Sequence, residues 1–153
     1  MRVPSAGRRV TTVTPDEETV DRHLGAVLDE VITAIQETKQ AVWSASTAER
    51  RRRFEDLRSF LVTQAAVVAD AEQRIGGRDP LLTSPTGHRI RNLRAEAGGD
   101  NEALVALLLA HLHTLVADVR ARAAAIEGTA DGGLLTELAN GVDHHVRQLE
   151  GTT

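Results

Sequence analysis

The chain has no cysteine and no tyrosine, and its aromatic residues, Trp43, Phe54 and Phe60, make up only 2% of 153 residues. Without cysteine, disulfides and thiolate chemistry are excluded, which suits a reducing cytoplasm. Sheet proteins draw on aromatic and β-branched side chains. Here Ala, Leu, Glu and Arg dominate instead, and these favour helices. No unbroken apolar run approaches the roughly 20 residues that span a bilayer. The stretch from Met1 to Arg9 lacks the apolar centre of a signal peptide. A cytoplasmic protein with no membrane partner is the expectation. The net charge of −4 is unlike that of a globally basic nucleic-acid binder, yet it leaves room for a local basic arm.

What is present is helical periodicity in a length that suits one domain with a proper core. The first helix opens at Thr14-Pro15-Asp16-Glu17, with Thr14 as cap, Pro15 at the first helical position and Glu17 completing a capping box. Val20, Leu24, Val27, Leu28, Val31, Ile32 and Ile35 follow at helical spacing and carry it to about Trp43. Ser46-Thr47-Ala48-Glu49 is a second capping box, followed by a stripe of Phe54, Leu57, Phe60, Leu61, Val67, Val68, Ala71 and Ile75 and a stop at Gly76-Gly77. Each of these helices covers about 28 residues, roughly 42 Å. Only a few residues separate them, so they are antiparallel neighbours.

A longer connection, Gly76 to Gly99, carries Pro80 and Pro85, and Ser84-Pro85 predicts a short helix from Pro85 to Ala97. Its length allows the next long helix to run parallel to the second. That helix is capped by Asp100, is the most apolar (Leu104, Leu107, Leu108, Leu112, Leu115, Val116, Val119) and stops at Gly128. The last begins near Asp131, carries Leu134, Leu135, Leu138, Val142, Val146 and Leu149, and ends at Gly151. The fold class is therefore all-α: a ferritin-like four-helix bundle over residues 14–151 with one long crossover, preceded by a basic arm at residues 1–13.

Chemistry is harder to find. Bundles of this class build di-metal sites with Glu-x-x-His pairs, and the chain has none. Nor is there a Ser-His-Asp order, a glycine-rich phosphate loop or a zinc spacing. Of the histidines, His111 falls on a core stripe and reads as a packing residue. His144 and His145 read as a solvated helix end where an imidazolium complements the dipole. Glu30, Glu37 and Glu72 are acids in helix middles. Arg2, Arg8 and Arg9 sit in an arm with no acid and could track phosphates. Arg50, Arg51, Arg52 and Arg53 oppose the dipole of the helix they open, so they are either fanned into water opposite Glu49, Glu55 and Asp56 or hold an anionic partner. Arg78, Arg89, Arg91 and Arg94 form a second basic group on the crossover.

Lys39-Gln40-Ala41-Val42-Trp43-Ser44 resembles the DNA-binding protein from starved cells (Dps) family, in which the first bundle helix ends Lys-Gln-Ala-His-Trp-Asn. Ala71-Glu72-Gln73-Arg74-Ile75-Gly76-Gly77 is similar to that family's Ala-Glu-Arg-Ile followed by Gly-Gly and Pro. Ala130 to Leu138 resembles its Asp-x-Gly-Thr-x-Asp-Leu-Leu-Thr entry to the last helix. The likeness covers about residues 20 to 150. It implies a hollow homo-dodecamer that stores iron and contacts DNA through basic termini. The implied ferroxidase ligands mostly fail: the His before the Trp is Val42, the second-helix His falls near Arg58, the acid a turn later near Val62, and the Asp four before Glu72 is Val68. Only Glu72 remains as a metal ligand. The expectation is a ferritin-fold cage with a lost or altered iron centre, no cofactor, and a DNA-binding, protective or iron-storage-related role.

Two alternatives stand beside it. One keeps iron oxidation at a rearranged inter-subunit site using Glu72 with Asp70 or a neighbour's histidine. The other is a haemerythrin-like bundle using His23, His88, His111 and His113, although its second-helix ligand places would hold Gln64 and Val68.

Overall fold

The computed structural model describes residues 15–76 and 92–151, and among them every regular element is a helix. The four long ones are α1 (Glu17–Ser44), α2 (Ala48–Gly76), α4 (Asn101–Ala125) and α5 (Ala130–Glu150); α3 is a single turn, Leu93–Glu96. The arm, with Arg2, Arg8 and Arg9, lies outside the described residues, as do the turn at Ser84-Pro85, His88 and three of the crossover arginines.

Capping accounts for where the helices begin. Asp16, not Thr14, caps α1: its carboxylate accepts the Thr19 amide at 2.8 Å. That contact holds the Asp16 carboxyl below its ordinary pKa. Thr47, not Ser46, caps α2 by accepting the Arg50 amide at 3.1 Å. Both corrections have one cause. Several polar residues in a row can cap, and packing selects among them. Asp100 caps α4 as expected, accepting from Glu102 and Ala103. Thr129 caps α5. The short crossover helix, expected from Pro85 to Ala97, is described only as Leu93–Glu96. It is docked on the end of α1, where Gln40 accepts the Leu93 amide and Arg94 donates to Ser44.

Cross-helix contacts fix the directions. Gly25 faces Glu72, so α1 and α2 are antiparallel. Glu37 meets His111 while His23 meets Arg122, which makes α1 and α4 antiparallel. Phe60 meets His145, and Asp56 acts on the same imidazole from one turn earlier in α2. His113 meets Glu150, and Arg120 lies near Asp143, so α4 and α5 are antiparallel. Arg50 and Glu102, each in the first turn of its helix, pair at 3.0 Å, so α2 and α4 start at the same end. The principal contacts run α1–α2–α5–α4 and back to α1.

Inside this ring Phe54, Leu24, Leu57, Leu61, Leu108 and Leu138 are fully buried. Each such side chain contributes roughly 1.5–3 kcal/mol relative to exposure. Among the described residues, α4 is the one helix long and apolar enough by length and composition to cross a membrane. Its apolarity also has a use within the fold, because Leu104, Leu108, Leu112, Leu115 and Val119 are buried in the shared core.

Candidate functional site

Polar side chains gather where α1 lies along α4. Glu30 and Glu37 are two helical turns apart on α1 and so share a face. His111 and Asp118 have the same separation on α4. Because the two helices are antiparallel, the register sets Glu37 against His111 and Glu30 against Asp118. At the first contact, His111 Nδ1 lies 3.3 Å from Glu37 Oε1, and the Glu37 side chain is only 4% exposed.

At the second contact Arg122 is the hub. Its Nε donates to Asp118 Oδ2 at 2.8 Å and lies 3.7 Å from Glu30 Oε1, while its terminal nitrogen donates to His23 Nδ1 at 3.1 Å. Burial, and then the hydrogen bond to Asp118, push the Glu30 carboxyl up to about 8. Asp118 moves the opposite way, chiefly because Glu30 donates to it and then because of Arg122. Burial lowers His23, with Arg122 and Arg22 adding to the effect, which leaves a neutral imidazole that can accept from Arg122. One carboxyl is thus held protonated beside one held as carboxylate.

Between the two contacts the helices part around a cavity of about 240 Å³, lined by Glu30 and Glu37, by His111, and by the apolar Ala34, Leu112 and Leu115. The seam can hold or release a proton at Glu30 and can present carboxyl oxygens to a cation.

The residues singled out in the sequence go to different places. Glu72 is buried and packs on α1 where Gly25 has no side chain; a Cβ there would stand 2.8 Å from Glu72 Oε2. Asp70 is exposed and pairs with Arg74 at 3.6 Å, away from Glu72. The arginine quartet is divided: Arg50 is buried on Glu102, Arg53 reaches Glu49, and Arg51 and Arg52 are exposed. His111 is half-buried on α4 and its ring nitrogen is paired with Glu37. His145 corrects another expectation. It lies half-buried against the Phe60 ring at 5.1 Å, and burial, then His144, lower its pKa, so it is not a solvated cation.

Sequence reasoning passed over Asp118 and Arg122 entirely and set Glu30 and Glu37 aside. The available signal was the matched separation on two antiparallel helices, but it becomes visible only once their register is known.

Iron, the ion the family resemblance implies, does not fit the places it assigns. Val42 is half-buried, Val62 is exposed, Val68 is in the core, and Arg58 brings a cation. Among the described residues no three His, Asp or Glu side chains converge as a metal site. That also separates His23, His111 and His113, which go to Arg122, Glu37 and Glu150 respectively. Set against known protein families, characterised proteins and solved structures, the chain matches none.

Proposed function

We propose that the chain is a ferritin-like four-helix bundle of the Dps kind whose work is assembly and architecture, not iron oxidation. The observation that carries this reading is the shared starting end of α2 and α4, marked by the Arg50–Glu102 pair. Bundles joined only by short loops alternate in direction; a parallel second and third long helix requires one long crossover, as in ferritin-like folds. The substitutions at Val42, Arg58, Val62 and Val68 support the loss of the ferroxidase centre. An iron-oxidising version would need Glu72 and Asp70 to act together, and these side chains have separate surroundings.

Homo-oligomerisation would use the outer surface of α1 and α2, where Trp43 is 75% exposed and Val62 and Val67 are also exposed. An uncovered indole is a large apolar surface that association removes from water. Nucleic acid would be held by Arg2, Arg8 and Arg9 through phosphates, without base readout.

Sedimentation with light scattering tests the assembly, for which a dodecamer is expected; a monomer at all concentrations would end the cage reading. A gel shift across a salt series tests the DNA role, which absent or salt-insensitive binding would remove. Fe²⁺ oxidation by oxygen or peroxide should run no faster than in a Glu72→Ala control.

A further inference from the structure

The outer side of the α1–α2 pair carries an electrostatic anomaly. Gly25 of α1 meets Glu72 of α2, and residues seven apart on a helix stay close to one edge. Steps of seven from that contact lead along α1 to Ile32 and Lys39, and back along α2 to Ala65 and Arg58. Both helices rise equally per residue, so Ile32 comes beside Ala65 and Lys39 beside Arg58. Two cations thus face one another across the groove, and among the described residues neither has a carboxylate partner. Lys39 lies over the Trp43 ring instead, and the buried Nε of Arg58 makes no hydrogen bond among the described residues. Like charges set together without neutralisation are destabilising.

The other end of the groove has the opposite sign. Asp29 is half-exposed one turn from Gly25 on the same face, and Glu72 lies beneath Gly25. Between the two ends the surface is apolar. Ile32 and Ala65 are partly buried there, and Val62 is 45% exposed.

We propose that this groove is a two-fold contact with a second copy of the chain, in which Lys39 and Arg58 of each copy hold the partner's Asp29. The inference rests on the assembly reading above and adds to it the register and the side chains that pair.

Symmetry selects the occupant. A surface basic at one end, acidic at the other and apolar between is complementary to itself when a second copy lies antiparallel across it. A two-fold axis between Ile32 and Gln36 is midway between Asp29 and Lys39, so it brings unlike ends together twice. A parallel copy would set like charges against like, which disfavours that arrangement. The same axis passes beside Val62 and lays Trp43 over the partner's Gly25, where no side chain stands in its way. An indole that is 75% exposed is thereby covered. A free anion would also neutralise Lys39 and Arg58, but it would leave Val62 and Trp43 in water. A second copy answers the charge and the apolar surface together. Arg58 is already half-buried, so little of its side-chain freedom is left to lose on pairing.

Sedimentation velocity of the full chain across a concentration series tests the proposal, with helical circular dichroism recorded for every variant. Lys39→Glu and Asp29→Lys should each weaken self-association at least about tenfold, because each sets like charges together at both symmetric contacts. The exposed α5 control Glu137→Lys should not. Mixing the Lys39→Glu and Asp29→Lys chains should restore association, since the mixed pair has one reversed and one native contact, both of unlike charge. Should Asp29→Lys lose its helicity, Asp29→Asn keeps the shape and should still weaken the wild-type contact. Association of wild type that neither charge reversal changes, or a mixture no more associated than its components, would overturn the register while leaving the assembly reading standing. A wild-type monomer at all concentrations would remove both. Unchanged association with loss of thermal stabilisation by inorganic phosphate in Lys39→Glu would assign the cations to a free anion and end the proposal.

Discussion

Glu30 of α1 donates a proton to the carboxylate of Asp118 on α4, and Arg122 secures that carboxylate from one turn further along the same helix. Two acids and one guanidinium therefore share the seam, with the excess negative charge cancelled by a proton. Such a pair titrates as a unit.

The pH dependence of stability follows. The folded chain keeps the Glu30 proton up to about 8, whereas the unfolded chain releases it near the ordinary value of 4.5. The folded state therefore binds more protons across that window, and stability falls as pH rises from about 4.5 to about 8. Glu30→Gln mimics the protonated acid and should flatten this slope, giving a higher melting temperature than wild type at pH 8 and little difference at pH 4.5. Thermal unfolding at several pH values checks this; parallel curves for the two proteins would show that Glu30 is not the titrating group.

At the other end of the seam, His111→Leu removes one partner, the ring nitrogen 3.3 Å away, from the buried Glu37 side chain. A loss of about 1–3 kcal/mol is expected. Glu37→Gln combined with His111→Leu should cost less than the two single losses together. Urea unfolding of the four species in a double-mutant cycle measures the coupling, and strict additivity would show that the two side chains act independently.

On the opposite side of the bundle, α5 approaches α2 at Gly141, where a Cβ would land on the Phe60 ring. Gly141→Ala should therefore destabilise by about 1–3 kcal/mol through overpacking, although alanine is the better helix former. Phe60→Leu in the same chain should recover part of the loss. A more stable Gly141→Ala protein in chemical denaturation would mean that the ring simply turns aside.

Trp43 is the only tryptophan, is 75% exposed, and has the Lys39 ammonium 5.7 Å from its ring centre. If copies associate through this surface, its fluorescence should shift to shorter wavelength with rising concentration. Trp43→Glu should shift the sedimentation profile toward monomer without changing helical content. An emission maximum independent of concentration while the particle grows would place the interface elsewhere.

Most of the scaffold was legible because burial obeys periodicity. Leu104, Leu108, Leu112 and Val119 stand where their spacing puts them. The pattern falters where adjacent residues compete for one direction: Val67 and Val68 both looked internal, yet only Val68 is. Caps slipped by one or two positions for the same kind of reason, since Ser46 and Thr47, or Thr14 and Asp16, offer the same chemistry. The seam was much less legible. Glu37, read alone, is an acid in mid-helix, and its partner lies 74 residues away. Nothing local to either helix marks the pairing.

The four cations that open α2 look unfavourable beside the positive pole of their own helix. Topology changes their surroundings. The two helices that α2 packs against most, α1 and α5, run against it, so their carbonyl ends flank the turn where Arg50 to Arg53 emerge. Cations are favoured beside such ends. Arg50 in turn ties this end to the start of α4 through Glu102, and moderate salt should loosen this end of the bundle before it disturbs the apolar interior.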